Sequence, residues 1–353
     1  MKSPNISQRK RTFVIAEIAQ AHDGSLGILH SFVDALAKTG VDAIKFQVHL
    51  AHAESSPREK FRKKFSPTDA SRSAYWRRME LSPTQWRQLK RKCESLGVEF
   101  LATPFSNAAV DLLEGLGIRR YKVGSGDAAN PLLLEKISKT RKEIILSAGL
   151  ATSRELDCST KFLRRRGIPF SILQCTTRYP THPAEVGLAQ LQYLRKKYKC
   201  PVGLSDHSGE IFPCLGAVAL GAEVVEAHAC FDRRMFGPDA PASLTIDEWA
   251  TLVRGIRYME QARGLGCFQR RFVSAEKKKL REMFGKALAV NHDLPKGKKI
   301  CFDDLEGKKP AYAGIPASQL HRVVGSRLKN AKKAWEFLQK KDIHPNQGYP
   351  LQK

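Results

Sequence analysis

The sequence predicts an α/β protein, a closed (β/α)8 TIM barrel followed by a small, mostly β domain. Two observations carry the barrel. Eight short apolar runs rich in β-branched residues recur at Phe13–Ile18, Ala43–Gln47, Val98–Thr103, Arg120–Val123, Glu143–Ser147, Phe170–Cys175, Pro201–Asp206 and Ala222–Ala227. The segments between them mostly show the 3–4 spacing of amphipathic helices, and strand–helix alternation repeated eight times is the signature of that barrel. A third observation separates the C-terminal part: beyond Arg263 the pattern changes to a charged connector, then to short runs broken by Pro-Lys-Gly and Gly-Ile-Pro turns.

Taken in order, residues 1–11 form a basic N-terminal tail, 12–263 the barrel, 264–284 a charged and partly helical linker, 285–343 the small domain and 344–353 a disordered tail. Leu29, Val33, Leu36 and Ala37 make the first helical stripe; Trp86, Leu89, Cys93 and Leu96 make another. The second follows Ser82-Pro83-x-Gln85, which has the form of a capping box with proline at the first helical position. Leu188, Leu191, Leu194 and Tyr198 make a third stripe, and Thr245-x-x-Glu248 caps the last barrel helix. The interval from Leu50 to Ser82 exceeds an ordinary loop and predicts an insertion over the barrel mouth.

The bulk numbers exclude several classes. At 353 residues and 42% apolar content the chain can bury a large core. Eight scattered cysteines without a C-x-x-C pair argue against a zinc ribbon or disulfide framework and suit a reducing cytoplasm. The N-terminus is basic, but Glu17 interrupts the apolar run, so neither a signal peptide nor a membrane span is indicated. The net charge of +25 raises nucleic acid as a partner. The basic clusters Arg58–Lys64, Arg87–Lys92, Arg164–Arg166, Arg195–Lys199 and Lys277–Arg281 come without zinc-finger or ribonucleoprotein aromatic motifs, so they read as solvated surface. The chain is read as a cytoplasmic protein that binds no nucleic acid and no membrane.

The chemistry lies in what each strand ends with. The ends carry Glu17 and His22; Lys45 and Gln47; Thr103; Lys122 and Ser125; Ser147; Cys175 and Thr177; Ser205, Asp206 and His207; Glu226 and His228. In this architecture the C-terminal rim holds the active site, so these residues would ring one pocket. Lys45 and Lys122 supply positive charge, Ser125, Ser147 and Ser205 supply hydroxyls, and Gly124, Gly126 and Gly149 permit close backbone approach, a set suited to a phosphate ester. Taken alone, Lys-Val-Gly-Ser-Gly-Asp is also an ordinary tight turn. His207 and His228 end consecutive parallel strands joined by one crossover, so their imidazoles can face one point and hold a metal that polarises a carbonyl. Two imidazoles do not select the ion, and Mn²⁺ and Mg²⁺ both suit an open, oxygen-rich site. Loop-edge histidines bonded to backbone would give the same pattern. Glu17 is read as a proton-transfer or hydroxyl-binding carboxylate, or equally as the ion-pair partner of a lysine.

The segments IAEIAQAHDGS, AIKFQVH, EFLATPFS, YKVGSGDAANPLLL, ILSAGLAT, LQCTTRYPTHPAEVGL, GLSDHSGE, LGAEVVEAH and GPDAPASL resemble the N-acetylneuraminate (sialic acid) synthase family. The resemblance continues through DLPKGKKICFDDL and KKPAYAGI, similar to that family's antifreeze-like (SAF) domain, and covers about residues 12–343. It implies a transferase of carbohydrate biosynthesis that condenses phosphoenolpyruvate with an N-acylated hexosamine. The product is a nine-carbon 2-keto sugar acid, and phosphate leaves by C–O cleavage. It further implies that Lys45, Lys122, Ser125, Ser147, Thr177 and Ser205 bind phosphoenolpyruvate and that His207 and His228 ligate Mn²⁺ or Mg²⁺. Glu17, Gln47, Tyr179, Asp239 and Lys309 would face the sugar, with Glu17, Lys45 and Lys122 in the catalytic group. Family members are domain-swapped homodimers. The chain departs from the family pattern at Ala21, Ala227, Ala240 and Lys309, the last replacing an arginine whose bidentate contact a lysine cannot reproduce. Most departures fall on the sugar side or in supporting positions, which leaves N-acetylmannosamine and the diacetamido sugars leading to legionaminic or pseudaminic acid as acceptors. A non-catalytic sugar-acid-binding relative on the same scaffold is the competing function class.

Overall fold

The computed structural model describes residues 5–8, 11–61, 65–263 and 275–344. The chain divides into two compact units, Met1–Leu265 and Gly266–Lys353. In the first, eight parallel strands run β1 (Phe13–Glu17), β2 (Ala43–Val48), β3 (Glu99–Pro104), β4 (Arg120–Val123), β5 (Glu143–Ser147), β6 (Phe170–Cys175), β7 (Val202–Asp206) and β8 (Val224–Cys230). They pair in sequence order and β1 closes on β8, giving the (β/α)8 barrel the alternation predicts. A short β9 (Ser243–Thr245) lies parallel beside β8.

The helices are α1 (Leu26–Ala37), α2 (Ala51–Glu54), α3 (Arg72–Met79), α4 (Pro83–Ser95), α5 (Asn107–Leu116), α6 (Pro131–Ser138), α7 (Ser153–Arg165), α8 (Gln190–Tyr198), α9 (Phe212–Ala219) and α10 (Ile246–Ala262). The two capping boxes read from sequence are formed: Ser82 and Gln85 open α4, with Pro83 in the first turn, and Thr245 and Glu248 open α10. Each satisfies otherwise orphaned N–H groups. The α4 stripe buries Trp86, Leu89 and Cys93, whereas Leu96, expected on the same stripe, is 44% exposed. It is the C-cap residue, where the backbone has already left helical geometry and the 3–4 register no longer holds. Arg164 and Arg165 stand in the last turn of α7, and Arg195, Lys196 and Lys197 in that of α8. There they complement the negative end of the helix dipole, which gives these basic clusters a local role.

Residues two apart on a strand face the same side, and this parity layers the barrel interior. The base holds Arg120, which pairs with Glu99 at 2.7 Å and with Glu143, under the Phe13 ring 4.9 Å from its guanidinium carbon. Above it packs an apolar layer that includes Ile15, Ala43, Leu101, Ile145, Leu173 and Val224. One step further, the inward residues turn polar. Residues 5–8 contribute to the base: Ile6 is 1% exposed, joins this cluster, and donates its N–H to Glu143 Oε1 at 2.9 Å. The expectation of a plain basic tail over 1–11 is therefore corrected. One apolar residue among polar neighbours carries no periodicity, and only the open barrel base gives it a place.

The insertion between β2 and α4 builds its own core from Ala51, Tyr75, Trp76 and Met79, with Phe61 and Phe65 against it. Arg78 ties it to Asp23 beyond β1, and Phe65 lies 5.7 Å from Phe236 beyond β8. Both partners are on loops that follow strands, so the insertion lies along the C-terminal rim.

In the second unit, α11 (Ala275–Phe284) precedes two antiparallel strands, β10 (Ala287–Val290) and β11 (Leu305–Lys308). Its core includes Leu288, Val290, Leu294, Ile300, Ile315, Val323, Leu328, Leu338 and Ile343. Of the predicted linker, 275–284 is helical, and 264–274 lies outside the described residues, as does the tail from 345 onward.

Candidate active site

At the C-terminal end of the barrel a cavity of about 190 Å³ opens between the strands. Its wall includes Lys45 and Gln47 from β2, Thr103 and Phe105 at β3, Lys122 and Ser125 at β4, Ser147 from β5, Cys175, Thr177 and Tyr179 at β6, Ser205 and His207 at β7, and Glu226 and His228 from β8. Ten of the residues singled out from sequence thus meet in one space: Lys45, Gln47, Lys122, Ser125, Ser147, Thr177, Tyr179, Ser205, His207 and His228. Strand parity explains the convergence. Lys45 and Gln47, or Glu226 and His228, are two apart and turn the same way, and β8 lies in register with β7 so that Glu226 stands opposite Ser205.

One half of the cavity is cationic. Lys122 Nζ donates to Ser147 Oγ at 2.7 Å and Lys45 Nζ to Thr103 Oγ1 at 3.2 Å. The two ammonium groups share Glu226, whose Oε1 lies 3.5 Å from Lys122 and 3.7 Å from Lys45 and accepts from Ser205 Oγ at 3.1 Å. Burial alone would raise the Glu226 pKa, but the two lysines outweigh it and hold the carboxyl below its ordinary value. Burial pulls Lys45 down to about 7 against the attraction of Glu226. Ser125 Oγ contacts Cys175 Sγ at 3.3 Å, and a Cβ built on Gly149 would come within 2.9 Å of both Ser125 Oγ and the Cys175 carbonyl oxygen, and 2.8 Å from Thr177 Oγ1. Gly149 therefore leaves a concavity bounded by oxygen atoms. Thr177 Oγ1 and Glu226 Oε2 are buried without a hydrogen-bond partner among the described residues. Such atoms are costly unless something in the cavity meets them.

The other half carries the imidazoles. The rings of His207 and His228 are 5.2 Å apart, and the Tyr179 ring stands 4.1 Å from His207. His207 Nδ1 lies 3.0 Å from the Thr176 carbonyl oxygen, a contact that orients the ring. Burial lowers the His207 pKa to about 4; burial, then His207 and the lysines, hold His228 well below its ordinary value. Both rings are thus neutral near pH 7, the state a metal ligand requires. His228 Nδ1 is buried without a hydrogen bond, with Asp239 Oδ2 3.9 Å away. The donor set fits a divalent ion held by two imidazoles with its remaining positions open. No group of three or more acidic, cysteine or histidine side chains suited to a metal occurs among the described residues.

Three sequence-derived candidates lie elsewhere. Glu17 is 1% exposed, behind the wall; it pairs with Lys45 and accepts from the Ala19 N–H at 2.7 Å. That is the ion-pair arrangement, the second of its two sequence readings. Asp239 stands beyond His228 in the loop after β8. Lys309 belongs to the second unit, where its Nζ lies 5.5 Å from the Phe284 ring. Glu226 was missing from the sequence-derived site, although its parity with His228 signals it. Phe105 and Cys175 also join the wall, and only the closed barrel shows this.

No helix among the described residues is long and apolar enough to cross a membrane. The NeuB family profile matches residues 32–267. The chain is 34% identical over 322 residues to the N,N'-diacetyllegionaminic acid synthase of Campylobacter jejuni, covering 90% of this chain and 95% of that protein. It is 31% identical to the human N-acetylneuraminate-9-phosphate synthase, covering 90% of this chain and 88% of that one. Among solved structures, the N-acetylneuraminic acid synthetase of Leptospira borgpetersenii, crystallised with citrate, superposes with a TM-score of 0.68 at 29% identity, over 76% of this chain and 90% of that one.

Proposed function

Because the chain belongs to the NeuB family, we propose that it is a nonulosonic acid synthase, joining phosphoenolpyruvate to an N-acylated hexosamine and releasing phosphate. The observation that carries this reading is one cavity with two lysines and a cluster of hydroxyls on one side and two neutral imidazoles on the other.

Lys45, Lys122, Ser125, Ser147, Thr177 and Ser205 bind phosphoenolpyruvate, and the oxygen-lined hollow at Gly149 seats its phosphate. Lys45 and Lys122 offset the anionic charge, and Glu226 keeps both near one point while the cavity is empty of substrate. His207 and His228 hold Mn²⁺ or Mg²⁺, which when bound polarises the acceptor carbonyl. Carbon C3 of phosphoenolpyruvate attacks the aldehyde carbon of the open-chain sugar, forming the new C–C bond. Water adds at C2, and the tetrahedral carbon expels phosphate by C–O cleavage. The buried Glu17–Lys45 pair lies where a proton can be exchanged with the reacting groups. Gln47, Tyr179 and Asp239 face the sugar. Residues 285–343 are read as the SAF-like domain, which brings Lys309 to the partner's site in a domain-swapped homodimer. The enzyme works in the cytoplasm.

The departures from the family pattern support turnover over mere binding. Ala227 is 2% exposed within the layer between strands and helices, Ala240 is 5% exposed, and Ala21 packs against the same core. None lines the cavity. Named relatives divide between N-acetylneuraminate-type and diacetylated products, so the acceptor is N-acetylmannosamine or a diacetamido analogue. Purified protein, phosphoenolpyruvate, Mn²⁺ and a panel of N-acyl hexosamines should release phosphate and yield the mass of a nine-carbon 2-keto acid. Silence across the panel, with tight binding of the sugar acid, would establish the non-catalytic relative instead.

A further inference from the structure

His49 stands one residue beyond Gln47 on the same parity, yet it does not line the cavity. It is 3% exposed and sandwiched between two rings, Trp76 at 3.8 Å and 16° and Phe105 at 4.5 Å and 9°. Trp76 comes from the insertion and carries the Arg72 guanidinium 4.0 Å over its ring; Phe105 lines the cavity. A continuous stack therefore runs from the insertion to the cavity wall. Both imidazole nitrogens are engaged. His49 Nδ1 lies 2.7 Å from Glu54 Oε1, and Nε2 lies 3.1 Å from Gln47 Oε1. Gln20 donates to the same Gln47 oxygen and lies 3.4 Å from His49 Nε2.

An amide side chain can turn either its oxygen or its nitrogen to a ligand, and its neighbours decide which. Here the Gln47 oxygen is held on the protein side by Gln20 and His49. Its nitrogen has no hydrogen-bond partner among the described residues, although Gln47 lines the cavity. We propose that His49, anchored by Glu54 and by the Trp76–Phe105 sandwich, is a positioning residue that makes Gln47 present its N–H groups to an oxygen of the acceptor sugar. This rests on the assignment of Gln47 to the acceptor. It makes the insertion a determinant of acceptor binding through a residue that touches no substrate.

The test is His49→Phe, which keeps a ring in the sandwich and removes both nitrogens, compared with Gln47→Ala and the double variant. The acceptor KM should rise about tenfold in His49→Phe, the scale of one charge-assisted hydrogen bond, with the phosphoenolpyruvate KM within about twofold of the parent. The double variant should be no worse than Gln47→Ala, because the two act as one unit. Selective ¹⁵N-glutamine labelling reads the orientation without turnover, and the Gln47 side-chain resonances should shift in His49→Phe. Unmoved resonances, or equal rises in both KM values, would overturn the proposal. Shifted resonances with an unchanged acceptor KM in His49→Phe and a raised one in Gln47→Ala would also overturn it. If Gln47→Ala itself leaves the acceptor KM unchanged, the assignment of Gln47 to the sugar is wrong and the proposal falls with it. Should His49→Phe not fold, Glu54→Gln, which withdraws the charge from Nδ1, is read by the same measurements.

Discussion

Replacing Gly149 by alanine would put a methyl carbon 2.8 Å from Thr177 Oγ1 and 2.9 Å from both the Cys175 carbonyl oxygen and Ser125 Oγ. Real Cβ atoms do not sit that close, so at least one of these oxygens must give way. Ser125 and Thr177 belong to the proposed phosphate seat. A hydrogen bond to a charged group contributes about 1.5–3 kcal/mol, so losing one should raise the KM for phosphoenolpyruvate by about tenfold to a hundredfold or slightly more. Gly149 lacks a positive φ, so no backbone strain adds to this, and overpacking should cost the fold about 1–3 kcal/mol. Two glycines serve as controls. A Cβ on Gly126 meets nothing within 4 Å, so Gly126→Ala should bind phosphoenolpyruvate as the parent does. A Cβ on Gly203 would lie 2.1 Å from the Val224 carbonyl oxygen, so Gly203→Ala should force β7 from β8 and lose the fold. Calorimetric titration of phosphoenolpyruvate and the thermal midpoint separate the three. A Gly149→Ala protein that binds phosphoenolpyruvate with parental affinity would refute the placement of the phosphate.

Other expectations follow from the same geometry. Lys45 is held near 7 by burial, so its cation is present below that pH and lost above it; the phosphoenolpyruvate KM should climb by up to about tenfold per pH unit beyond pH 7. A profile flat to pH 9 would show that Lys45 stays charged or does not contact the anion. His207→Ala should abolish Mn²⁺ binding by calorimetry as well as metal-stimulated phosphate release, because only one imidazole would remain; unchanged Mn²⁺ affinity would remove His207 from the metal site. Ile6→Ala should destabilise the barrel by about 2–5 kcal/mol, the usual cost of emptying a buried aliphatic site. Parental thermal stability in that variant would show that residues 5–8 do not plug the base in solution.

The barrel was legible in the sequence because its signals are local. Strand runs, 3–4 stripes and the Ser82 and Thr245 capping boxes each lie within a few residues, and a protein whose strands all end on one rim brings the ends together without further information. Ten of the site residues could therefore be found as strand ends. Glu17 shows the limit. Its position at the end of β1 matches the others, but its side chain is turned beneath Lys45, and no sequence pattern separates the cavity wall from the layer behind it. Glu226 as the shared partner of two lysines, the Arg72–Trp76–His49–Phe105 stack and the burial of Ile6 all depend on contacts between distant segments. Periodicity reports which face of an element is apolar. Which buried polar groups meet across the barrel is decided only when closure of β1 on β8 brings them within hydrogen-bonding distance.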